Sequence, residues 1–336
     1  MKYKILLLGI ICIIAIILFV YHPGEKDKTS SIQQSMSFGE KVQLDAYDQD
    51  RKLYQRTYKR NPQKIAAIYQ NSVETILALN HGETLFSAVN VNKELLNSKY
   101  KDLYEKIPVK LNHGISREEL LMQNLDLIVG WYSTFEYSIL GSQTFWRERG
   151  IDTYIAPSSF GRKEEPQVLE DEYRFIMDLG KILHKEDVAR QIIGEMEKNI
   201  NEVVSYAEKE NLRPRCLIME FEGAELRIYG KNTLGGNILM HLGVPLAYEG
   251  NHLDYESLIM VDPDIIFVVN LDETEEGGRR EENLVYSQPA FSGITAVKNH
   301  RVYQVPLYEI YCSGIRSYDA ILYFSRCIYP DQKGLS

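Results

Sequence analysis

The chain has 336 residues, 44% of them hydrophobic and 25% charged, with a formal net charge of −9 and a pI near 5.4. That length and balance allow two ordinary globular domains, each with its own core. The acidic balance argues against a nucleic-acid partner, because phosphate binding needs a basic face that the sequence does not show.

Behind Met1–Lys4 runs ILLLGIICIIAIILFVYHPG, residues 5 to 24, with no Asp, Glu, Lys or Arg. About 20 helical residues span the hydrocarbon thickness of a bilayer, so 1–24 is expected to be a membrane anchor or signal segment. Two lysines in front and none immediately behind place the rest of the chain outside the cytoplasm. No small-residue cleavage pattern closes the apolar run, which favours an uncleaved anchor over a removed signal peptide. Cys12 invites lipidation, but Ile10 and Ile11 precede it where a lipoprotein signal needs small residues. Residues 25 to 58 are polar and weakly periodic and read as a tether, with order expected to begin near Asn61.

From there KIAAIY (64 to 69) reads as a buried strand, and NSVETILALN as a helix opened by Asn71 with Glu74 in capping-box spacing. TLFSAV, SREELLMQ, DLIVGW, QTFWRERG and DTYIAP continue an alternation of strand and helix that predicts an α/β lobe with a parallel sheet over 59–168. Residues 169–211 read as helical. VLEDEYRFIMDLGKIL stops near Gly180 to His184, and the next run carries Val188, Ile192, Met196, Ile200, Val203, Val204 and Ala207 on one apolar stripe. Roughly 24 residues make a rod about 36 Å long, too long for a routine crossover and suited to bracing two lobes. A second α/β lobe over 212–336 follows, from RPRCLIMEF through LRIYG, NILMHLG, YESLIM, DIIFVV and RVYQVP to the closing helix YDAILYFSRCIYP. The acidic run DETEEGGRREE, residues 272 to 282, reads as a solvated loop.

One short pattern occurs twice. EELLMQNLDLIVGW (118 to 131) and ESLIMVDPDIIFVV (256 to 269) align Glu118 with Glu256, Met122 with Met260 and Asp126 with Asp264. One copy falls in each half. The expected fold is therefore α/β: two similar lobes with parallel-rich central sheets, joined by one long rigid helix, with a ligand cleft between them where strands end.

An enzyme is not expected. No H-E-x-x-H, G-x-S-x-G or G-x-x-x-x-G-K-[ST] occurs, and the seven histidines are scattered with no i, i+4 pair to hold a metal. No cofactor or resident metal is implied. Of the four cysteines, Cys12 lies in the apolar run; a Cys312–Cys327 bridge stays open, with buried free thiols as the plainer expectation for Cys216, Cys312 and Cys327.

The order and spacing of NPQKIAAIYQNSVETILALN, IPVKLNHGISREELLMQNLDLIVG, LGKILHKEDVARQI, VDPDIIFVV, ITAVKNHRVYQVP and YFSRCIYPD resemble the solute-binding proteins of bacterial ABC importers, of the type that carries iron-siderophores, haem or cobalamin. The resemblance covers about residues 60 to 331; Leu125, where the family usually has proline, and the insert at 272 to 283 depart from it. It implies an extracytoplasmic protein held at the cell membrane by its N-terminal segment, capturing a ferric siderophore for a dimeric ABC permease. Haem, cobalamin, or an anchored sensor without a transporter are the alternatives. The chelate itself would hold the iron.

Residues just past strand ends are then the candidates for the cleft: Tyr69, Trp131 and Tyr132 in the first lobe, and Tyr229, Lys231, Asn270, Tyr308, Tyr311 and Arg316 in the second. Aromatic faces suit a large, flat, partly apolar chelate, and Lys231 and Arg316 would offset a ligand's negative charge. With Ser116 and Asp254 as N-caps, Glu118 and Glu256 fall at the second helical position, where either would complement the helix dipole. In the family resembled, one glutamate on each lobe docks with an arginine pocket on the permease, and these two positions match.

Overall fold

A computed structural model describes residues 40–332 apart from 80, 81, 83, 113, 161–165, 224 and 273. The expected membrane segment at 5–24, Cys12 and the first part of the tether lie outside the described residues. Among the described residues no helix is long and apolar enough to cross a membrane.

Order begins earlier than the sequence suggested. Lys41–Tyr47 (β1) and Leu53–Lys59 (β2) form an antiparallel hairpin where a polar tether was expected. The Asp48 carboxylate makes the turn by accepting the N–H groups of Asp50 and Lys52, both at 2.9 Å, which lets Arg51 take a left-handed φ of 65°. Val42, Leu44 and Ala46 alternate with polar residues, and Leu44, Ala46 and Tyr58 are buried. The Tyr58 hydroxyl donates to Thr153 O at 3.2 Å and the Lys59 N–H to Asp152 Oδ2 at 3.1 Å, so the hairpin covers an edge strand that would otherwise present open backbone groups.

The first lobe holds β3 (Ile65–Ile68), α1 (Gln70–Ala78), β4 (Leu85–Val89), α2 (Lys101–Glu105), β5 (Val109–Leu111), α3 (Arg117–Leu121), β6 (Leu127–Gly130), α4 (Gln143–Arg147) and β7 (Asp152–Ile155). Its sheet runs β5-β4-β3-β6-β7 and every pairing is parallel. Two helices follow, α5 (Leu169–Ile182) and the 24-residue α6 (Glu186–Lys209). The second lobe holds β8 (Cys216–Glu222), β9 (Glu225–Ile228), α7 (Leu234–His241), β10 (His252–Leu253), α8 (Tyr255–Val261), β11 (Ile265–Asn270), α9 (Glu275–Ser287), α10 (Thr295–Lys298), β12 (Val302–Pro306), α11 (Leu307–Ile310) and α12 (Arg316–Ile328). Its sheet runs β10-β9-β8-β11-β12, parallel through β8, β11 and β12, with β9 antiparallel to both neighbours.

The two sheets share one plan, and the repeated segment occupies the same place in each. Asp126 accepts the N–H groups of Gln63 and Lys64 at 2.7 and 3.0 Å and so ties β6 to the start of β3. Asp264 does the same for Arg215 at 2.8 Å, tying β11 to the start of β8. The repeat is thus a strand-locking device used once per lobe. Ser116 and Asp254 are the N-caps of α3 and α8, accepting the N–H groups of Glu119 and Ser257 as expected.

From Lys41 onward the described chain is one compact unit. A single hydrophobic cluster runs from Ile65 and Val73 in the first lobe through Phe175, Met196 and Val203 of α5 and α6 to Ile218, Phe267 and Phe324 in the second. The brace is therefore a pair of helices. Gly180 of α5 sits against Ala189 of α6, where an added Cβ would lie 2.6 Å from the alanine methyl. The acidic run is also more ordered than expected: Thr274 caps α9 by accepting the Gly277 N–H at 3.0 Å, Val285 is buried, and Glu282 accepts the Gln304 N–H at 2.8 Å. Cys216, Cys312 and Cys327 are free thiols.

Candidate functional site

At the carboxyl ends of the strands, between the lobes, lies a cavity of about 190 Å³. The first lobe contributes Tyr69 past β3, Asn90 and Asn92 past β4 and Trp131 past β6; the second contributes Tyr308, Tyr311 and Arg316 from the segment after β12. Of the nine residues expected in the cleft, five meet here: Tyr69, Trp131, Tyr308, Tyr311 and Arg316.

Tyr69 is held at φ 71°, ψ 157°, a backbone region that is essentially confined to glycine. Its N–H donates to Val89 O at 2.9 Å and its carbonyl accepts the first turn of α1, so the ring is aimed into the cavity by the fold's own hydrogen bonds. The ring lies 4.4 Å from that of Trp131, and Tyr311 meets Trp131 edge-on at 6.0 Å. Trp131 is fixed from behind: its Nε1–H donates to Asn71 Oδ1 at 3.0 Å, and Asn71 Nδ2 donates to Cys312 Sγ at 3.4 Å. Burial pushes the Tyr311 hydroxyl above its ordinary range and the Cys312 thiol well above its own, so both stay neutral at physiological pH.

Asn71 was expected to cap its helix with Glu74 in a capping box. The structure instead starts α1 at Gln70, with no side-chain cap, and turns both residues to the lobe seam. Glu74 is fully buried and takes Arg316 in a two-point ion pair: Nη2 donates to Oε1 at 2.9 Å, and Nε donates to Oε2. Asp319 accepts from Arg316 Nη1 at 3.1 Å, and the guanidinium stands 4.8 Å above the Tyr308 ring. Burial opposes the charge on Arg316, but the bond to Glu74 and the nearby carboxylates hold it protonated. Beside this pair, the buried Glu172 of α5 accepts the N–H groups of Ser313 and Gly314 at 3.1 and 2.8 Å, and Thr75 Oγ1 accepts the Ile315 N–H at 3.1 Å. Gly314, at φ 57°, would carry a Cβ only 2.4 Å from that hydroxyl. The segment 312–316 of the second lobe is clamped onto α1 of the first.

The other four expected residues lie elsewhere. Tyr132 stacks on Phe160 at 5.2 Å, with Arg51 of the hairpin turn 5.7 Å above its ring. Tyr229 is buried and its hydroxyl donates to Glu220 Oε2 at 2.6 Å. Lys231 is paired with Glu249 at 2.7 Å on the surface. Asn270 is buried at the end of β11, donating to Thr274 O at 2.6 Å and to Gln304 Oε1 at 3.3 Å. Sequence reasoning missed Gln70, Asn71, Asn90, Asn92, Leu307 and Cys312 in the lining. The strand-end rule applied to TLFSAV would have found Asn90 and Asn92; nothing local marks Cys312.

The profile of the periplasmic binding protein family matches residues 65–308. A crystal structure of a periplasmic binding protein from Veillonella parvula is 32% identical, covers 87% of this chain and 92% of its own, and superposes with a TM-score of 0.82. The chain belongs to the periplasmic binding protein family. It is a binding protein and not an enzyme. A Bacillus subtilis (strain 168) protein described as an uncharacterized ABC transporter substrate-binding lipoprotein, YvrC, is 21% identical over 316 residues, 92% of each chain. The catecholate-siderophore binding protein VctP from Vibrio cholerae is 17% identical with a TM-score of 0.64, covering 85% of this chain and 99% of its own, a likeness of fold.

Proposed function

We propose that the chain is the extracytoplasmic substrate-binding component of an ABC importer, capturing a ferric siderophore in the interlobe cleft and delivering it to a dimeric permease. The observation that carries this reading is the aromatic wall of Tyr69, Trp131 and Tyr311, assembled from both lobes on one cavity. Flat ring faces beside neutral Asn and Gln side chains suit a large, partly apolar chelate that brings its own iron ligands. The two cations first expected to offset a ligand's charge are already engaged, Arg316 by Glu74 and Lys231 by Glu249. That pairing favours a complex of low net charge, such as a ferric hydroxamate, over a highly anionic tris-catecholate.

At about 190 Å³ the cavity is smaller than the usual 300–1,000 Å³ of a small-molecule site. The chelate therefore enters with a small opening of the lobes, which the clamp at 312–316 and the paired brace helices limit, and packs against Tyr69, Trp131 and Tyr311. Tyr311→Ala should lower the affinity for a ferric hydroxamate roughly tenfold, read as quenching of Trp131. Unchanged affinity in that variant would remove the aromatic wall from the binding account.

The same reading assigns Glu118 and Glu256, both exposed, to docking on the two permease halves. It assigns the uncharged run 5–24 to membrane attachment, which N-terminal sequencing of the membrane-extracted protein checks.

A further inference from the structure

On the flank of the first lobe the hairpin and α4 leave a groove over the edge strand β7. Two adjoining cavities of about 340 and 170 Å³ make it up, and they share Gln55, Arg56 and Arg147. None of their residues lines the interlobe cavity. Both guanidiniums pull on the same two neighbours, Tyr58 and Asp152. Among the described residues neither arginine has an ion pair, and Arg147 makes no side-chain hydrogen bond. In a chain with 47 acidic side chains against 38 basic ones, two neighbouring guanidiniums left without a carboxylate stand out. Arg56 Nη2 donates to Gln143 Oε1 at 3.1 Å; Gln143 is 1% exposed, and its Nε2 is buried with no acceptor among the described residues. A buried donor without a partner is costly, and folded proteins keep few of them.

We propose that this groove binds a phosphodiester with small hydroxylated arms, its phosphate held between Arg56 and Arg147 where the two cavities join. Planar guanidinium forks match phosphate oxygens two at a time. Gln143 holds one fork in place and adds a donor that still lacks an acceptor. Charge selects a diester. Two carboxylates face the same groove: Asp48, whose Oδ1 accepts the N–H groups of Asp50 and Lys52, and Asp152, whose Oδ2 accepts that of Lys59. Two arginines and two aspartates sum to zero, so a singly charged oxyanion fits better than a dianion. Shape selects a diester too, because a cavity extends on either side of the arginine pair and gives room for a substituent in both directions. Gln49, Thr57, Thr144 and Thr153 line those arms with amides and hydroxyls, which suit polyol groups rather than acyl chains. The same chemistry occurs in a glycerol-type lipid headgroup and in a free polyol phosphodiester. Only residues 25–40 separate the hairpin from the uncharged run 5–24, so either source is within reach.

The test uses the full chain, purified in a neutral detergent, and follows its Tm at constant ionic strength. The probes are glycerophosphoglycerol, inorganic phosphate, and short-chain phosphatidylglycerol or phosphatidylcholine. The proposal expects a saturable rise with a glycerol diester and little with inorganic phosphate or with phosphatidylcholine, whose headgroup carries a cation in place of hydroxyls. A rise with phosphatidylglycerol alone identifies the occupant as a lipid headgroup; a rise with glycerophosphoglycerol as well identifies it as the diester itself. Arg56→Lys/Arg147→Lys keeps the charge and loses the forks, and is expected to weaken binding roughly tenfold. Arg147→Lys alone, at a side chain with no bond to lose, should show part of that loss with the ligand-free Tm unchanged. No rise with either glycerol diester, an equal rise with inorganic phosphate, or undiminished binding by the lysine variants would overturn the site.

Discussion

Arg316 was legible in the sequence as a charged residue beside a helix start after a strand end, and it does line the cavity. What the sequence could not supply was its partner, because Glu74 lies 242 residues away and reads locally as a capping residue. The pair is buried on both sides, so removing one member strands the other charge. Arg316→Ala is expected to destabilise the protein by about 3–5 kcal/mol, measured by urea unfolding, whereas Arg316→Met with Glu74→Met should lose much less. Equal losses would show that the site tolerates no apolar replacement. Two further carboxyls at this seam respond to pH. Burial, helped by Asp319, raises Glu309 to about 7, and burial raises Glu172 to about 7 despite its hydrogen bonds, against an ordinary 4.5. A folded state that holds such protons more tightly than the unfolded chain has their stabilisation in full below about pH 4.5 and loses it as pH rises through about 7. Tm should therefore fall between about pH 5 and about pH 8, and Glu309→Gln should flatten that fall. An unchanged pH profile in the variant would assign the dependence elsewhere.

Elements were legible where period and length agreed. The α6 stripe gave a rod of the observed length, with Met196, Ile200, Val203 and Ala207 buried as the 3.6-residue period requires. The repeat located α3 with β6 and α8 with β11. Two elements were hidden by polarity. In the first strand of the hairpin at 41–59 the apolar Val42, Leu44 and Ala46 stand only at alternate positions, and the face that turns outward carries Lys41, Gln43 and Asp45. In α9 the charges of the first turns face solvent, while Glu282 and one buried face hold the helix against β12. The close crossing of α5 and α6 at Gly180 depends on an absent side chain. Gly180→Val should force the brace helices apart and lower stability by about 1–3 kcal/mol in urea unfolding; a variant as stable as the parent would mean that the crossing relaxes freely.

At the scale of the whole molecule, the internal repeat, the brace and the strand-end rule together placed a cleft between two lobes, and five of nine candidate residues meet in it. The other four fell to local partners: a buried carboxylate for Tyr229, a surface carboxylate for Lys231, an aromatic stack for Tyr132 and a loop carbonyl for Asn270. Strand ends predict proximity to a cleft, but not which nearby carboxylate, ring or carbonyl will take the side chain first. Trp131 lies at the cleft, while Trp146, the other tryptophan, is fully buried with its Nε1–H on Leu140 O at 3.1 Å. Tryptophan emission therefore reports the cleft, and Trp131→Phe provides the control. The most direct test is a fluorescence titration of the purified chain with a ferric hydroxamate, a ferric tris-catecholate, haem and cobalamin. Saturable quenching by ferric complexes, tightest for the hydroxamate and lost in Trp131→Phe, is the predicted result; saturable binding of haem or cobalamin with no response to any ferric complex would contradict the account.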